Sequence, residues 1–106
     1  MISKEVIEEV KNRLIKVYDP LEIYLFGSYA RETPNEESDL DLLVVVDQSD
    51  EKLHLRSLKG YEALIGLRVP NDIIVYTKNE FEERAANQTT LAHSIKLTGK
   101  KLYAKA

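Results

Sequence analysis

The chain contains no cysteine, which rules out disulfides and thiolate metal sites and agrees with a reducing compartment. It also lacks any apolar run approaching the ~18 residues that suggest a membrane span. The opening Met1-Ile2-Ser3-Lys4-Glu5 has neither the basic start nor the apolar segment of a secretory signal. A cytoplasmic protein without a membrane segment is therefore expected. Positive charge is not in excess either: 15 Lys and Arg stand against 18 Asp and Glu, for a net charge of -3. That balance argues against the broad phosphate-neutralising face that dominates nucleic-acid affinity, so strong nucleic-acid binding is not expected. A nucleotide held through metal ions stays compatible with it.

What is present fits one domain spanning 1–106. Apolar residues make up 43% and charged residues 31% of the chain, an ordinary balance for a globular protein. A chain of this length buries somewhat over ~60% of the surface its unfolded form would expose, enough for one core. Ser3 is a candidate N-cap for an amphipathic helix whose apolar side is Val6, Ile7, Val10, Leu14 and Val17, ending near Tyr18-Asp19-Pro20. Leu21 to Phe26 reads as a strand closed by Gly27, and residues 28 to 38 as a short helical turn followed by a loop. Leu40 to Val46 is an aliphatic strand buried on both faces.

A further helix, capped by Ser49 or Asp50, should bury Leu53, Leu58, Tyr61, Leu64 and Ile65 and end near Gly66. Asp72 opens a third strand, Ile73 to Tyr76. Thr77 to Glu80 begins a last helical region with Phe81, Ala85, Ala86, Leu91, Ile95 and Leu97 as burial candidates, and Leu102-Tyr103 suits a short final strand. The charges of Glu80, Glu82, Glu83 and Arg84 read as a solvated helix face. His54 and His93 have no partners at ligand spacing.

The chemistry concentrates between Leu25 and Val46. Asp39 and Asp41 are two apart on an extended chain, so they share a face with alpha carbons about 6.6 Å apart. Like charges this close raise at least one carboxylate pKa unless a cation offsets them. A pair of divalent ions suits in-line displacement at phosphorus, and magnesium favours carboxylate oxygen and completes its shell with substrate phosphates. Gly27 lets backbone approach a ligand, Ser28 starts a turn whose amides and hydroxyl suit phosphate oxygens, and Arg31 adds a cation. If the Gly27-Ser28 turn is to meet Asp39 and Asp41, the first two strands must be antiparallel. If Asp72 is to share that edge, the third strand must run parallel to the second, with residues 47 to 71 supplying the crossover.

Gly27-Ser28, ten residues, then Asp39-Leu40-Asp41 resembles the signature of the nucleotidyltransferase superfamily with the DNA polymerase beta-like fold. The stretch GSYARETPNEESDLDLLVVV and the later Asn71-Asp72-Ile73-Ile74-Val75-Tyr76 are most similar to minimal nucleotidyltransferases, the antitoxin-type partners of HEPN-domain toxins. One departure is Arg31-Glu32, where many relatives read Arg-Gly. The resemblance implies an α+β fold, a small mixed sheet of three to four strands flanked by four helices. It implies that Asp39, Asp41 and Asp72 form a catalytic metal-binding triad for Mg²⁺, with two ions and ATP as substrate, while Gly27, Ser28 and Arg31 bind the nucleotide.

The implied reaction moves AMP from ATP to a hydroxyl acceptor with release of pyrophosphate. A tyrosine of a HEPN toxin is the leading acceptor, which would make the chain the antitoxin of a type VII pair. The alternatives are an antitoxin or adaptor that neutralises its partner by binding alone, and transfer to a small-molecule hydroxyl. A homo- or hetero-oligomer is compatible with each.

Overall fold

Leu40–Val46 is the strand that the molecule is built around, because seven consecutive apolar or half-buried positions can be satisfied only with layers on both faces. In the computed structural model, which describes residues 2–35 and 38–106, this strand, β2, lies inside a four-stranded sheet. β1 (Glu22–Phe26) pairs with it antiparallel and β3 (Asn71–Thr77) pairs with it parallel. β4 (Lys100–Ala104) adds antiparallel to the other side of β1, giving the order β3-β2-β1-β4. Both strand directions expected from the site are observed, and the expected final strand forms. Residues 36 and 37, in the expected loop, lie outside the described residues.

The two faces are divided by the alternation of β2. Leu40, Leu42, Val44 and Val46 turn toward α1 (Lys4–Tyr18), meeting Val10, Leu14 and Tyr18. Leu43 and Val45 turn the opposite way, onto Phe81 and Ala85 of α3 (Lys78–Ala85) and Ile95 of α4 (Leu91–Thr98). The Ser3 hydroxyl accepts from the Val6 amide at 3.2 Å, as its position before α1 suggests.

The crossover after β2 departs from expectation. Neither Ser49 nor Asp50 caps a long helix. The Ser49 hydroxyl accepts from the Glu51 amide at 3.2 Å within a turn. A 3₁₀ turn, Leu53–Leu55, and the short helix α2 (Leu58–Ala63) follow, with no side-chain cap on either. Of the anticipated apolar face only Leu64 is buried. Leu53, Leu58, Tyr61 and Ile65 are exposed, because a helix this short turns little of itself toward the sheet. What α2 does present is Gly60, where a Cβ would stand 2.8 Å from the Tyr18 hydroxyl. Instead the Gly60 amide donates to that hydroxyl at 3.0 Å and the hydroxyl donates to the Arg56 carbonyl. Burial pushes the Tyr18 phenol up to about 12. In the last helical region a turn at 86–90 splits the helix in two. Ala86, Leu91 and Leu97 are exposed, while Phe81, Ala85 and Ile95 are buried.

β3 is an edge strand whose outer polar groups meet side chains instead of another strand. The Ile73 amide donates to the Tyr61 hydroxyl at 3.0 Å, and Arg56 donates to the Val75 carbonyl at 3.3 Å. Arg56 also donates to the Glu51 carbonyl at 3.0 Å and forms a two-armed pair with Glu80 at 2.6 and 3.3 Å. Glu80 is thus not simply a member of a solvated face. It closes a capping box with Thr77 and anchors the buried arginine.

The hydrogen bond from Arg56, followed by those from Thr77, holds Glu80 down from 4.5 to about 2. A carboxyl whose folded value is depressed contributes stability that is complete above the unfolded value and disappears as pH falls through the folded one. Acid titration of the melting temperature should therefore fall between pH 4.5 and 2. Glu80→Gln should be less stable than the parent at neutral pH and show a shallower acid slope. Parallel acid curves would contradict this role.

Candidate active site

Strand register brings the sequence features together. Phe26, the residue before Gly27, is the partner of Asp41 across β1 and β2, and Asp41 is the partner of Asp72 across β2 and β3. Asp41 alternates in phase with Leu43 and Val45, and Asp72 with Ile74 and Tyr76, all of which pack on the α3–α4 side. The two carboxylates therefore share a sheet edge and a face. Asp39 lies exposed just before β2 and near enough to act on Asp41 electrostatically.

Gly27 has φ of 74°, and a Cβ there would overlap the Asp41 carboxylate. Both the left-handed backbone and the close approach demand glycine. Beyond it the chain makes a single helical turn. The Arg31 amide donates to the Gly27 carbonyl at 3.2 Å and the Thr33 amide to the Ser28 carbonyl at 2.9 Å. The turn ends at Glu32, whose φ of 58° is a conformation glycine adopts at little cost. Glu32 is the position of the departure from Arg-Gly, and this backbone geometry is a physical reason for glycine there.

Gly27, Arg31 and Asp41 line one cavity of about 240 Å³, with Leu91 and Ser94 of α4 on its far side. Ser28, Asp39 and Asp72 are not among its lining. Asp72 and Asp39 are exposed and Ser28 is half-buried. A larger cavity of about 460 Å³ lies at the opposite end of β1, beside Glu22, Phe81, Lys96 and Lys101. It is a strand length from the aspartates and has no part in their geometry.

Electrostatics mark Asp41. Burial is the largest effect raising its carboxyl pKa, the charges of Asp72 and then Asp39 add to it, and Arg31 acts in the opposite sense. Among the described residues no three His, Asp or Glu side chains stand close enough to hold a metal unaided. Magnesium ordinarily takes one or two carboxylates and fills its shell with water and substrate phosphate. The hard-oxygen donors and the acidic charge gathered at Asp41, which Arg31 offsets only in part, fit such an ion arriving with a nucleotide. The α4 wall escaped sequence reasoning. Leu91 stood out only as a burial candidate, and no local signal links Ser94 to residues that precede it by more than fifty positions.

Known proteins are similar to this chain in sequence and in fold. A family model described as nucleotidyltransferase domain matches residues 3–102. Protein adenylyltransferase MntA of Thermococcus cleftensis is 39% identical over 74 residues, covering 65% of this chain and 75% of that protein. A Methanocaldococcus jannaschii protein, provisionally named a protein adenylyltransferase, is 34% identical over 90 residues, covering 76% and 88%. Among solved structures, a toxin-antitoxin with AMP-PNP superimposes with a TM-score of 0.67 at 21% identity, over 92% of this chain and 73% of that one, a likeness of fold. With the family model spanning nearly its whole length, this chain belongs to the nucleotidyltransferase domain family.

Proposed function

We propose that the chain transfers AMP from ATP to a hydroxyl of a partner protein, a tyrosine of a HEPN-domain toxin, and so acts in the cytoplasm as that toxin's antitoxin. The observation that carries this reading is the register placing Gly27 against Asp41 and Asp41 beside Asp72 at one edge of the sheet. The relatives named as protein adenylyltransferases support the choice of nucleotide and of a protein acceptor. The toxin acceptor follows from the resemblance to minimal nucleotidyltransferases.

Asp39 and Asp41, completed by Asp72, would hold Mg²⁺. The bound ion would supply charge neutralisation for the triphosphate and the developing pyrophosphate. The turn after Gly27, with Ser28 and Arg31, binds the β- and γ-phosphates and fixes the direction in which pyrophosphate leaves. Asp72, exposed at the β3 end of the edge, faces the incoming acceptor and receives the proton of its hydroxyl. The acceptor oxygen forms a bond to the α-phosphorus as the bond from that phosphorus to the bridging oxygen breaks. The products are an AMP–protein ester and pyrophosphate.

The purified chain, incubated with Mg²⁺, labelled ATP and a candidate HEPN-domain partner, should label that protein. The Asp39→Asn and Asp41→Asn variants should not. Equal labelling by parent and variants would exclude the catalytic reading. Toxin neutralisation by variants that transfer no label, at normal abundance, would favour an antitoxin that acts by contact.

A further inference from the structure

We propose that α4 forms the nucleoside-binding wall of this site, with Leu91 and Ser94 contacting the base and ribose while the turn after Gly27 takes the phosphates. This rests on the nucleotidyl-transfer reading and adds which part of the nucleotide lies where. The cavity beside Asp41 has two chemically different sides. One is the 27–31 turn, which contributes backbone and the Arg31 cation. The other is one stripe of α4, Leu91, Ser94, Ile95 and Thr98, at the spacing that puts side chains on a common helix face.

No cation belongs to that stripe. Lys96, the charged residue in its midst, lines the separate cavity at the far end of β1. Ile95 is 1% exposed and forms an apolar floor, whereas Leu91 is 50% exposed and offers an open apolar surface. The Thr98 hydroxyl donates its proton to the Ser94 carbonyl at 2.8 Å, so Ser94 provides the hydroxyl donor of the wall, while Thr98 keeps only acceptor capacity. One free hydroxyl donor on a largely apolar surface suits a flat heteroaromatic ring with a polar edge. It does not suit a triphosphate, which needs cations and amide donors. The volume, about 240 Å³, is below the roughly 300–1,000 Å³ that encloses a drug-sized ligand. The cavity therefore takes part of a nucleotide, with the rest extending toward the aspartate edge.

Ser94→Trp tests this, because position 94 is exposed and the indole would fill the cavity without entering the core. Apparent affinities for ATP and for inorganic tripolyphosphate are measured with the parent and the variant. The expected result is ATP binding weakened about tenfold or more, with tripolyphosphate binding unchanged. Unchanged ATP binding would overturn the proposal, as would equal weakening of both ligands, which would place the phosphates against α4. Leu91→Ala removes apolar surface without adding bulk and should weaken ATP about threefold. It decides the matter if Ser94→Trp lowers the melting temperature. A parent chain that transfers label while both variants bind ATP normally overturns only this wall. A parent that binds no ATP overturns the transfer reading as well.

Discussion

Asp41→Asn is expected to lower AMP transfer by about a thousandfold or more while leaving the melting temperature unchanged or raising it by up to about 4 °C. The two effects have one cause. The Asp41 carboxylate is partly withdrawn from water, faces Asp72 across the strand pair and feels Asp39 two residues away. In the resting protein those interactions oppose the folded state, because desolvation and like charge both penalise the ionised form. Asparagine keeps the shape and loses the charge, so the fold is relieved of a burden while the proposed reaction loses a carboxylate proposed to hold its metal. Calorimetry and a transfer assay on one preparation check the pair. A clearly destabilised variant would mean that Asp41 has a structural hydrogen-bonding role instead.

The second large effect falls on stability. Arg56 is 7% exposed, the one charged residue in the buried set among the described residues, and its guanidinium serves the Glu51 carbonyl, the Val75 carbonyl and the Glu80 carboxylate together. These tie the crossover, the edge strand and the start of α3 to one another. Removing one partner of a buried ion pair costs about 3–5 kcal/mol when both are enclosed. The Glu80 side chain is 31% exposed, which lowers the expected cost of Arg56→Met to about 2–3 kcal/mol. For a chain of this size that corresponds to a fall in melting temperature of roughly 8–20 °C. Lysine at 56 should rescue little, since an ammonium cannot present the same planar fork of donors. The surface pair Lys11–Glu8, whose glutamate side chain is 61% exposed, is the control. Lys11→Ala should cost less than about 1 kcal/mol. Equal losses from the two substitutions would remove Arg56 from its place as the tie.

Much of this architecture could be read from the chain. The aliphatic run Leu40–Val46 required two covering layers. The demand that Gly27, Asp41 and Asp72 meet at one edge fixed two strand directions before any coordinates. Asp72 proved to be the register partner of Asp41. Where the reading went astray, the causes are specific. Leu58, Tyr61 and Ile65 sit at helical spacing, yet spacing cannot say which face meets the core when the helix is only Leu58–Ala63. The residue that does meet it, Gly60, has no side chain to announce the contact.

Arg56 carries no pattern of its own. Its three acceptors lie 5, 19 and 24 residues away, and only the assembled fold makes them neighbours. The α4 wall was hidden for the same reason, with Leu91 legible as apolar but not as the lining of a cavity. The Gly-Ser and Asp-Leu-Asp elements, each weak alone, stood out because their order and spacing resemble the nucleotidyltransferase signature.

The most direct measurement follows the fate of the phosphorus atoms. Parent chain, Mg²⁺ and a candidate HEPN-domain partner protein are incubated with ATP labelled at the α-phosphate, and in parallel with ATP labelled at the γ-phosphate. The expected result is α-label on the partner, γ-label released in pyrophosphate, and neither transfer after Asp39→Asn with Asp41→Asn. Label arriving from the γ-position, or α-label transferred equally by the doubly substituted chain, would contradict nucleotidyl transfer at the Gly27–Asp41–Asp72 edge.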